Sequence, residues 1–179
     1  MKTIVHFRVV IDYEKTVFRD IQIGADASFL DLHEMIQEAF GFDNTQMASF
    51  YMSNDNWDKG LEITLMSMLE PDETDKTNPP ILEMALTSIG DLVKESGQKL
   101  VYVSDFMLMW CFYIEALKVY QTDECLILPR ITQSFGTPPG QYDKAEQPLF
   151  DVSDPIDTNA DEDEFDSIFK DLEDENNFE

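Results

Sequence analysis

The sequence is short of basic residues, cysteines and histidines, and each shortage argues against a class of function. Only 12 Lys and Arg stand against 37 Asp and Glu, which gives a formal net charge of −25. Nucleic acids and anionic membranes both require cationic side chains, so this balance argues against direct binding to either. Cys111 and Cys125 provide neither a disulfide framework nor the spacing of a metal site. His6 and His33 lie beside no nucleophile motif, so we expect structural roles for both.

Loops that bind phosphate or calcium are also missing. The glycines form no phosphate-binding motif. The turn that begins at Asp55 has the composition of a calcium loop, but Trp57 stands at its third position and Met66 at its twelfth, where a carboxylate is required. The sequence therefore predicts no metal, no cofactor and no catalytic residue.

Long apolar segments and an N-terminal signal are absent as well. The longest apolar run, Phe106 to Ile114, is far shorter than the roughly 20 residues that span a bilayer. The segment from Met1 to Thr3 leads directly into a strand-like alternation and lacks the layout of a signal peptide. We therefore predict a cytoplasmic protein that binds no membrane.

What is present is enough hydrophobic sequence for one domain and an extension. Hydrophobic residues make up 43% of the 179 residues, and their period changes along the chain. Alternation over 3–11 and 16–23 predicts a β-hairpin, and Ser28 is a good N-cap for a helix that ends at Gly41. Further strands are predicted at 46–52, 61–66, 99–103, 108–120 and 126–128, and a short helix at 87–94. This order predicts an α+β domain over residues 1–130, with a β-grasp (ubiquitin-like) mixed sheet, one main helix and a second short helix.

The C-terminal part of the chain is predicted to lie outside that domain. Residues 131–160 contain several prolines and form a predicted linker, and residues 161–179 form an acidic amphipathic tail. From Asp151 to Glu179, thirteen acidic residues stand against one lysine, so this stretch carries a net charge of −12. Four apolar residues inside the tail follow helical spacing and would share one helical face: Phe165, Ile168, Phe169 and Leu172.

The composition of this tail predicts the way in which the protein binds a partner. A helix of about ten residues is marginal alone in water, so it needs a groove in which to bury its apolar face. The groove belongs either to another protein, with basic residues beside it, or to the chain's own domain; a third alternative is a charged segment that only keeps the protein soluble. We favour a basic or groove-bearing protein partner, with no direct contact to nucleic acid.

Two further interpretations of the sequence stay open. The apolar run that contains Met107, Met109 and Trp110 is either core or a partner-binding patch, since methionine-rich surfaces adapt to varied ligands. The chain is alternatively an enzyme whose site assembles from residues distant in sequence. The candidates for that site are His33, Tyr102, Asp105 and Cys111.

Several motifs resemble those of the Ri-plasmid ORF-three-like family, which is also known as a family of insertion-element passenger proteins. The similar segments cover about residues 3–140, in matching order and spacing. They are the helix Phe29-Leu30-Asp31-Leu32-His33-Glu34-Met35-Ile36-Gln37 and the step Phe40-Gly41-Phe42-Asp43 after it, the strand Leu100-Val101-Tyr102-Val103-Ser104-Asp105-Phe106, the residues Trp110 and Ile114, and the endings Pro129-Arg130 and Phe135-Gly136-Thr137-Pro138-Pro139. The resemblance implies a compact β-grasp-like domain and a link to mobile-element machinery through a protein partner, but it implies no reaction.

The chain departs from this family at one place that bears on function. Many relatives place Gly-Asp-Asp after the Asp-Phe step and a His beyond the Trp, whereas this chain has Met107-Leu108-Met109 and then Cys111-Phe112-Tyr113. Apolar side chains have therefore replaced a polar cluster, and the resemblance transfers no catalytic residue to this chain.

Overall fold

The computed structural model describes residues 1–67 and 81–145. Met1–Glu146 forms one compact unit, and within its described residues eight strands build a single sheet. The strands are β1 Lys2–Ile11, β2 Phe18–Gly24, β3 Ala48–Ser53, β4 Lys59–Thr64, β5 Leu82–Glu83, β6 Lys99–Ser104, β7 Trp110–Thr122 and β8 Arg130–Phe135. The helices are α1 Phe29–Phe40 and α2 Ile89–Leu92, with single 3₁₀ turns at Met84–Leu86 and Asp143–Ala145.

The sheet runs in the order β5-β4-β3-β6-β7-β1-β2-β8. Its neighbours pair antiparallel except β4 and β5, which pair parallel at one edge. The long strands β1 and β7 lie together at the centre. The predicted α+β class with a mixed sheet and few helices is therefore confirmed, whereas the finer β-grasp prediction is not.

Helix α1 begins and ends where the sequence predicts. The Ser28 hydroxyl accepts the backbone N–H of Asp31, and the Asp31 carboxylate accepts the Ser28 backbone N–H, which completes a capping box. Gly41 ends the helix in the left-handed region at φ 72°. The helix therefore has fixed bounds at both ends, and the helical spacing of Phe29, Leu32, Ile36 and Phe40 turns these apolar side chains into the core.

The core lies between α1 and one face of the sheet. Phe29 of the helix meets Phe50 of β3 edge to face, with ring centroids 5.3 Å apart, and Phe40 meets Phe112 of β7 at 5.0 Å. All four aromatic side chains are almost fully buried. Their burial contributes about 1.5–3 kcal/mol each and holds the helix across the central strands.

Three details of the predicted strand pattern are corrected by the structure. Residues 108 and 109, where the long strand 108–120 was predicted to begin, belong to the turn of the β6–β7 hairpin, and residues 126–128 form no strand. Order also continues past Arg130, since β8 pairs with β2 and the described part of the chain reaches Ala145. The predicted linker at 131–160 therefore begins too early.

The physical reason for the last correction is a set of contacts that composition does not reveal. Phe135 stacks on Phe18 with the centroids 5.4 Å apart. The Arg19 guanidinium donates to the carbonyl oxygens of Phe135 and Gly136 at 2.9 and 3.2 Å. These long-range contacts offset the conformational entropy that is lost when this proline-containing segment becomes ordered. Within the described ranges no helix combines the length and the apolar character that crossing a membrane requires.

Candidate functional site

A buried polar network lies between α1 and the central strands. The side chain of His33 is 1% exposed, and its Nδ1 lies 2.7 Å from the hydroxyl of Tyr102, which is fully buried. Gln37, one helical turn after His33, donates from Nε2 to the Tyr102 hydroxyl at 2.9 Å and to Ser104 Oγ at 3.0 Å. Asn44 completes the network, since its Oδ1 lies 2.5 Å from His33 Nε2.

The contacts determine where the protons of this network reside. An amide Oδ1 only accepts, so His33 Nε2 carries the proton and Nδ1 accepts the hydroxyl proton of Tyr102. Burial lowers the pKa of His33, although the Asn44 hydrogen bond acts in the opposite direction. Burial likewise raises the pKa of the Tyr102 phenol. Both groups are thus kept neutral, and every polar atom of the pair has a protein partner.

The other two catalytic candidates lie elsewhere. The Asp105 carboxylate is buried, and its Oδ1 accepts the backbone N–H groups of Met107 and Leu108 at 3.0 and 3.1 Å, so it shapes the hairpin turn. Cys111 lies between Trp110 and Phe112, two core residues of β7. Its side chain therefore lies on the other face of the sheet, away from α1. The structure therefore brings His33 and Tyr102 together but separates both from Cys111.

Sequence reasoning missed the partners that complete the network, namely Gln37, Asn44 and Ser104. Gln37 carried a signal, because its i+4 spacing places it on the same helical face as His33. Asn44 carried none, since its role depends on a left-handed backbone at φ 57° just beyond the helix.

Hydrogen bonds hold the C-terminal end of the described residues close to the buried network of His33 and Tyr102. The indole N–H of Trp110 donates to the Gln141 carbonyl oxygen at 2.7 Å. The Tyr142 hydroxyl donates to Asp43 Oδ2 at 2.6 Å. Hydrogen bonds from Thr45, Tyr142 and Gln141 hold the pKa of the Asp43 carboxyl well below its usual range. These contacts order residues 141–144 against the end of α1.

The hairpin turn itself presents apolar side chains to solvent. Phe106 is 44% exposed, Met107 90% and Met109 43%. In contrast, Trp110 and Phe112 are fully buried in the core. The apolar run that contains Met107, Met109 and Trp110 therefore has an exposed part, which ends at Met109, and a buried part, which begins at Trp110. Phe106, Met107 and Met109 form what we name the hairpin-tip surface.

An apolar groove adjoins the hairpin-tip surface. It encloses about 370 Å³ and is lined by Met47, Glu62, Thr64, Met66, Ser67, Ile81 and Phe106. We name these seven residues the methionine groove. Two other cavities, of about 290 and 330 Å³, lie near the start of β1, and their linings include Asp26 and no aromatic side chain. Of the cavities described here, the methionine groove alone has a largely apolar wall.

The predicted partner-binding residues Phe165, Ile168, Phe169 and Leu172 lie outside the described residues. The predicted absence of a metal site concerns the whole chain, and only part of it is described. Within residues 1–67 and 81–145, no group of three or more His, Cys, Asp or Glu side chains is placed to hold a metal ion.

Comparison with known proteins shows the family and the fold. No curated protein matches the sequence. A crystal structure of a protein of unknown function from Methanosarcina mazei Go1 is similar, with a TM-score of 0.59 and 20% sequence identity over 75% of this chain and 70% of that chain. The family model of the plasmid pRiA4b ORF-3-like protein matches residues 3–167. The chain therefore belongs to the plasmid pRiA4b ORF-3-like protein family.

Proposed function

We propose that this protein is a non-enzymatic interaction module whose acidic C-terminal segment docks on a basic or groove-bearing protein, in machinery associated with nucleic acid. The folded body acts as a rigid support, and Phe165, Ile168, Phe169 and Leu172 enter the partner's groove from one helical face. The acidic residues around them are attracted by basic side chains within about 8 Å, one Debye length.

The observation that carries this proposal is the contrast between the buried and the exposed residues of the body. His33, Tyr102 and Asp105 are engaged in buried structural hydrogen bonds. Large apolar side chains are instead exposed at the hairpin tip, where Met107 is 90% exposed. Exposed apolar clusters of this kind are typical of surfaces that bind other proteins.

The proposal keeps the β-grasp-like description of the body and a cytoplasmic location. The β1–β2 hairpin followed by a helix across one sheet face supports a β-grasp-like body, although the central strands β1 and β7 pair antiparallel. Cys111 and Cys125 are both free, which agrees with a reducing compartment.

A catalytic function is the alternative. It would use a site around His33, Tyr102, Asp105 and Cys111, and it is favoured by the 2.7 Å contact between His33 and Tyr102. A general base must reach the proton that it removes. Because both side chains are at most 1% exposed, the interaction function is the better supported of the two.

The test compares proteins captured from native extract by the full chain and by a variant with Phe165→Ala and Phe169→Ala. We expect the variant to lose the specific partner, because the apolar face is removed while the charge is kept. The matched control carries Ser167→Ala and Asn176→Ala, which change the same segment but leave the four apolar residues in place. Equal capture by all three chains would contradict the proposal.

A melting experiment on the same variants separates the two docking alternatives. If the tail docks on another protein, removing the two phenylalanines leaves the melting temperature of the isolated chain unchanged. A fall of several degrees, in the range that about 1 kcal/mol produces in a domain of this size, would instead favour docking on the chain's own domain.

A further inference from the structure

The methionine groove lies on the face of the sheet opposite α1. Phe50 of β3 points into the core, so its neighbours Ser49 and Tyr51 point to the other face. Glu62 is the cross-strand partner of Tyr51 and shares that face. The groove is therefore separate from the buried network of His33 and Tyr102.

The walls of the groove are apolar and partly open to solvent. Met66 is 59% exposed, Ile81 44% and Phe106 44%. Each flexible methionine can adjust to the shape of a ligand, and the aromatic ring adds a broad contact surface. A ligand that covered these side chains would gain about 25 cal/mol for each Å² of apolar surface removed from water.

Carboxylates accompany the apolar walls. Glu62 lines the groove, and its Oε1 accepts the Ser49 hydroxyl at 2.7 Å and, more weakly, the Tyr51 hydroxyl at 3.4 Å. Glu83 is the partner of Thr64 in the parallel β4–β5 pair, which places it on the same face. No lysine or arginine is among the seven lining residues.

The charge of these carboxylates is not neutralised within the described ranges. The ion pairs found there involve neither Glu62 nor Glu83. The nearby Lys59 places its ammonium over the ring of Tyr51, 5.1 Å from the centroid, and makes no ion pair with Glu62. Glu62 also affects a neighbour, because burial and the Glu62 charge both raise the pKa of Tyr51.

We propose that the methionine groove binds a basic amphipathic segment of a partner protein, with lysine or arginine beside Glu62 and Glu83 and apolar side chains against Met66 and Phe106. This inference deepens the proposed function and rests on it, since it defines the chemistry of the partner from a second surface. An apolar groove bordered by carboxylates that form no ion pair within residues 1–67 and 81–145 complements a peptide that combines both properties.

The carboxylates of the methionine groove disfavour two other candidates for its occupant, the chain's own tail and a second copy of the chain. The chain's own tail brings thirteen acidic residues from Asp151 onward, which the groove carboxylates repel. A second copy of the chain carries a net charge of −25, so pairing two copies here brings like charges together. A basic partner meets neither obstacle.

The test measures binding of a fluorescent 12-residue probe peptide, in which lysines alternate with leucine and phenylalanine, to the full chain at physiological salt. Glu62→Gln with Glu83→Gln is the groove variant, and Glu14→Gln with Glu95→Gln is the control with the same net charge at two exposed positions. We expect the groove variant to bind at least about tenfold more weakly, and the control to stay within about twofold of the unmodified chain.

Two further arms test the apolar contacts and the occupant. Met66→Gln with Phe106→Gln should also weaken the probe at least about tenfold, and a peptide with glutamate in place of each lysine should not bind. Equal losses in the groove and control variants, absence of probe binding, or binding of the acidic peptide would each overturn the proposal.

The tail variant with Phe165→Ala and Phe169→Ala separates this inference from the proposed function. Unchanged probe binding by that variant supports the groove even if the tail captures no partner. Loss of probe binding by that variant would place the peptide on the tail and overturn the groove as its site.

Discussion

Removing one hydroxyl group from the core tests the assignment of the buried network as structural. In Tyr102→Phe the ring keeps its packing, including the contact with Phe50 at 4.6 Å between centroids. The change removes the donor to His33 Nδ1 at 2.7 Å and one acceptor of Gln37 Nε2. Gln37 keeps its bond to Ser104 at 3.0 Å, but its other amide N–H loses an acceptor, and the buried imidazole Nδ1 is left without a donor.

The cost of that change follows from the burial of the group that is left. A buried polar atom without a partner costs about 1–3 kcal/mol, and His33 is 1% exposed. We therefore expect Tyr102→Phe to lower the free energy of unfolding of the full chain by about 2 kcal/mol. Urea unfolding at pH 7.5 measures this as a lower midpoint at an unchanged slope.

A second tyrosine provides the control for this measurement. Tyr142 also donates through its hydroxyl, to Asp43 at 2.6 Å, but its side chain is 47% exposed. Water replaces that hydrogen bond, so Tyr142→Phe should cost less than about 1 kcal/mol. A Tyr102→Phe variant as stable as the unmodified chain would refute the reasoning, because the network would then contribute nothing to folding.

Three further predictions concern pH, the edge strand and the helix cap. Burial lowers the pKa of His33 below its unfolded value of 6.5, so its stabilising contribution is complete above about pH 6.5 and is lost as the pH falls through the folded pKa. His33→Gln should therefore reduce the loss of stability below about pH 6.5 in urea titrations, and part of the dependence remains because burial also lowers the pKa of His6. Phe135→Ala removes the stack on Phe18 and should cost about 1 kcal/mol while speeding amide exchange in β8. Ser28→Ala should cost about 1 kcal/mol in thermal unfolding, because the first turn of α1 loses its cap.

Local sequence patterns predicted those parts of the fold that depend on neighbouring residues. The Ser28 cap and the Gly41 stop bound α1 as expected, since capping is decided within a few residues. The β1–β2 hairpin likewise follows from alternation and a short polar link. The α+β class was therefore accessible from the sequence.

Features that depend on distant contacts were not accessible in the same way. The apolar residues from 108 onward predicted a strand over 108–120, but Asp105 and Met109 adopt positive φ values of 61° and 52° and close a hairpin turn, so the strand begins at Trp110. The proline-containing segment near Pro138 predicted a linker, while contacts of Arg19 with the carbonyl oxygens at 135 and 136 hold it on β2. In each case tertiary contacts overrode local composition.

The candidate site was predictable only in part, for the same reason. His33 and Tyr102 were both named from the sequence, but their contact joins residues 69 positions apart. The methionine groove combines residues of β4 with residues of several loops and turns, from Met47 to Phe106, so no single stretch of sequence marks it. An apolar run predicts burial, and only the fold shows which of its side chains remain at the surface.

The central claim is that four apolar side chains near the C-terminus bind a partner protein. The most direct measurement is backbone amide NMR of the isotope-labelled full chain during titration with the purified protein that it captures. The account predicts that the amide signals of Phe165, Ile168, Phe169 and Leu172 shift or broaden until the partner saturates. If these signals stay unchanged at saturation, the tail takes no part in binding and the account is contradicted.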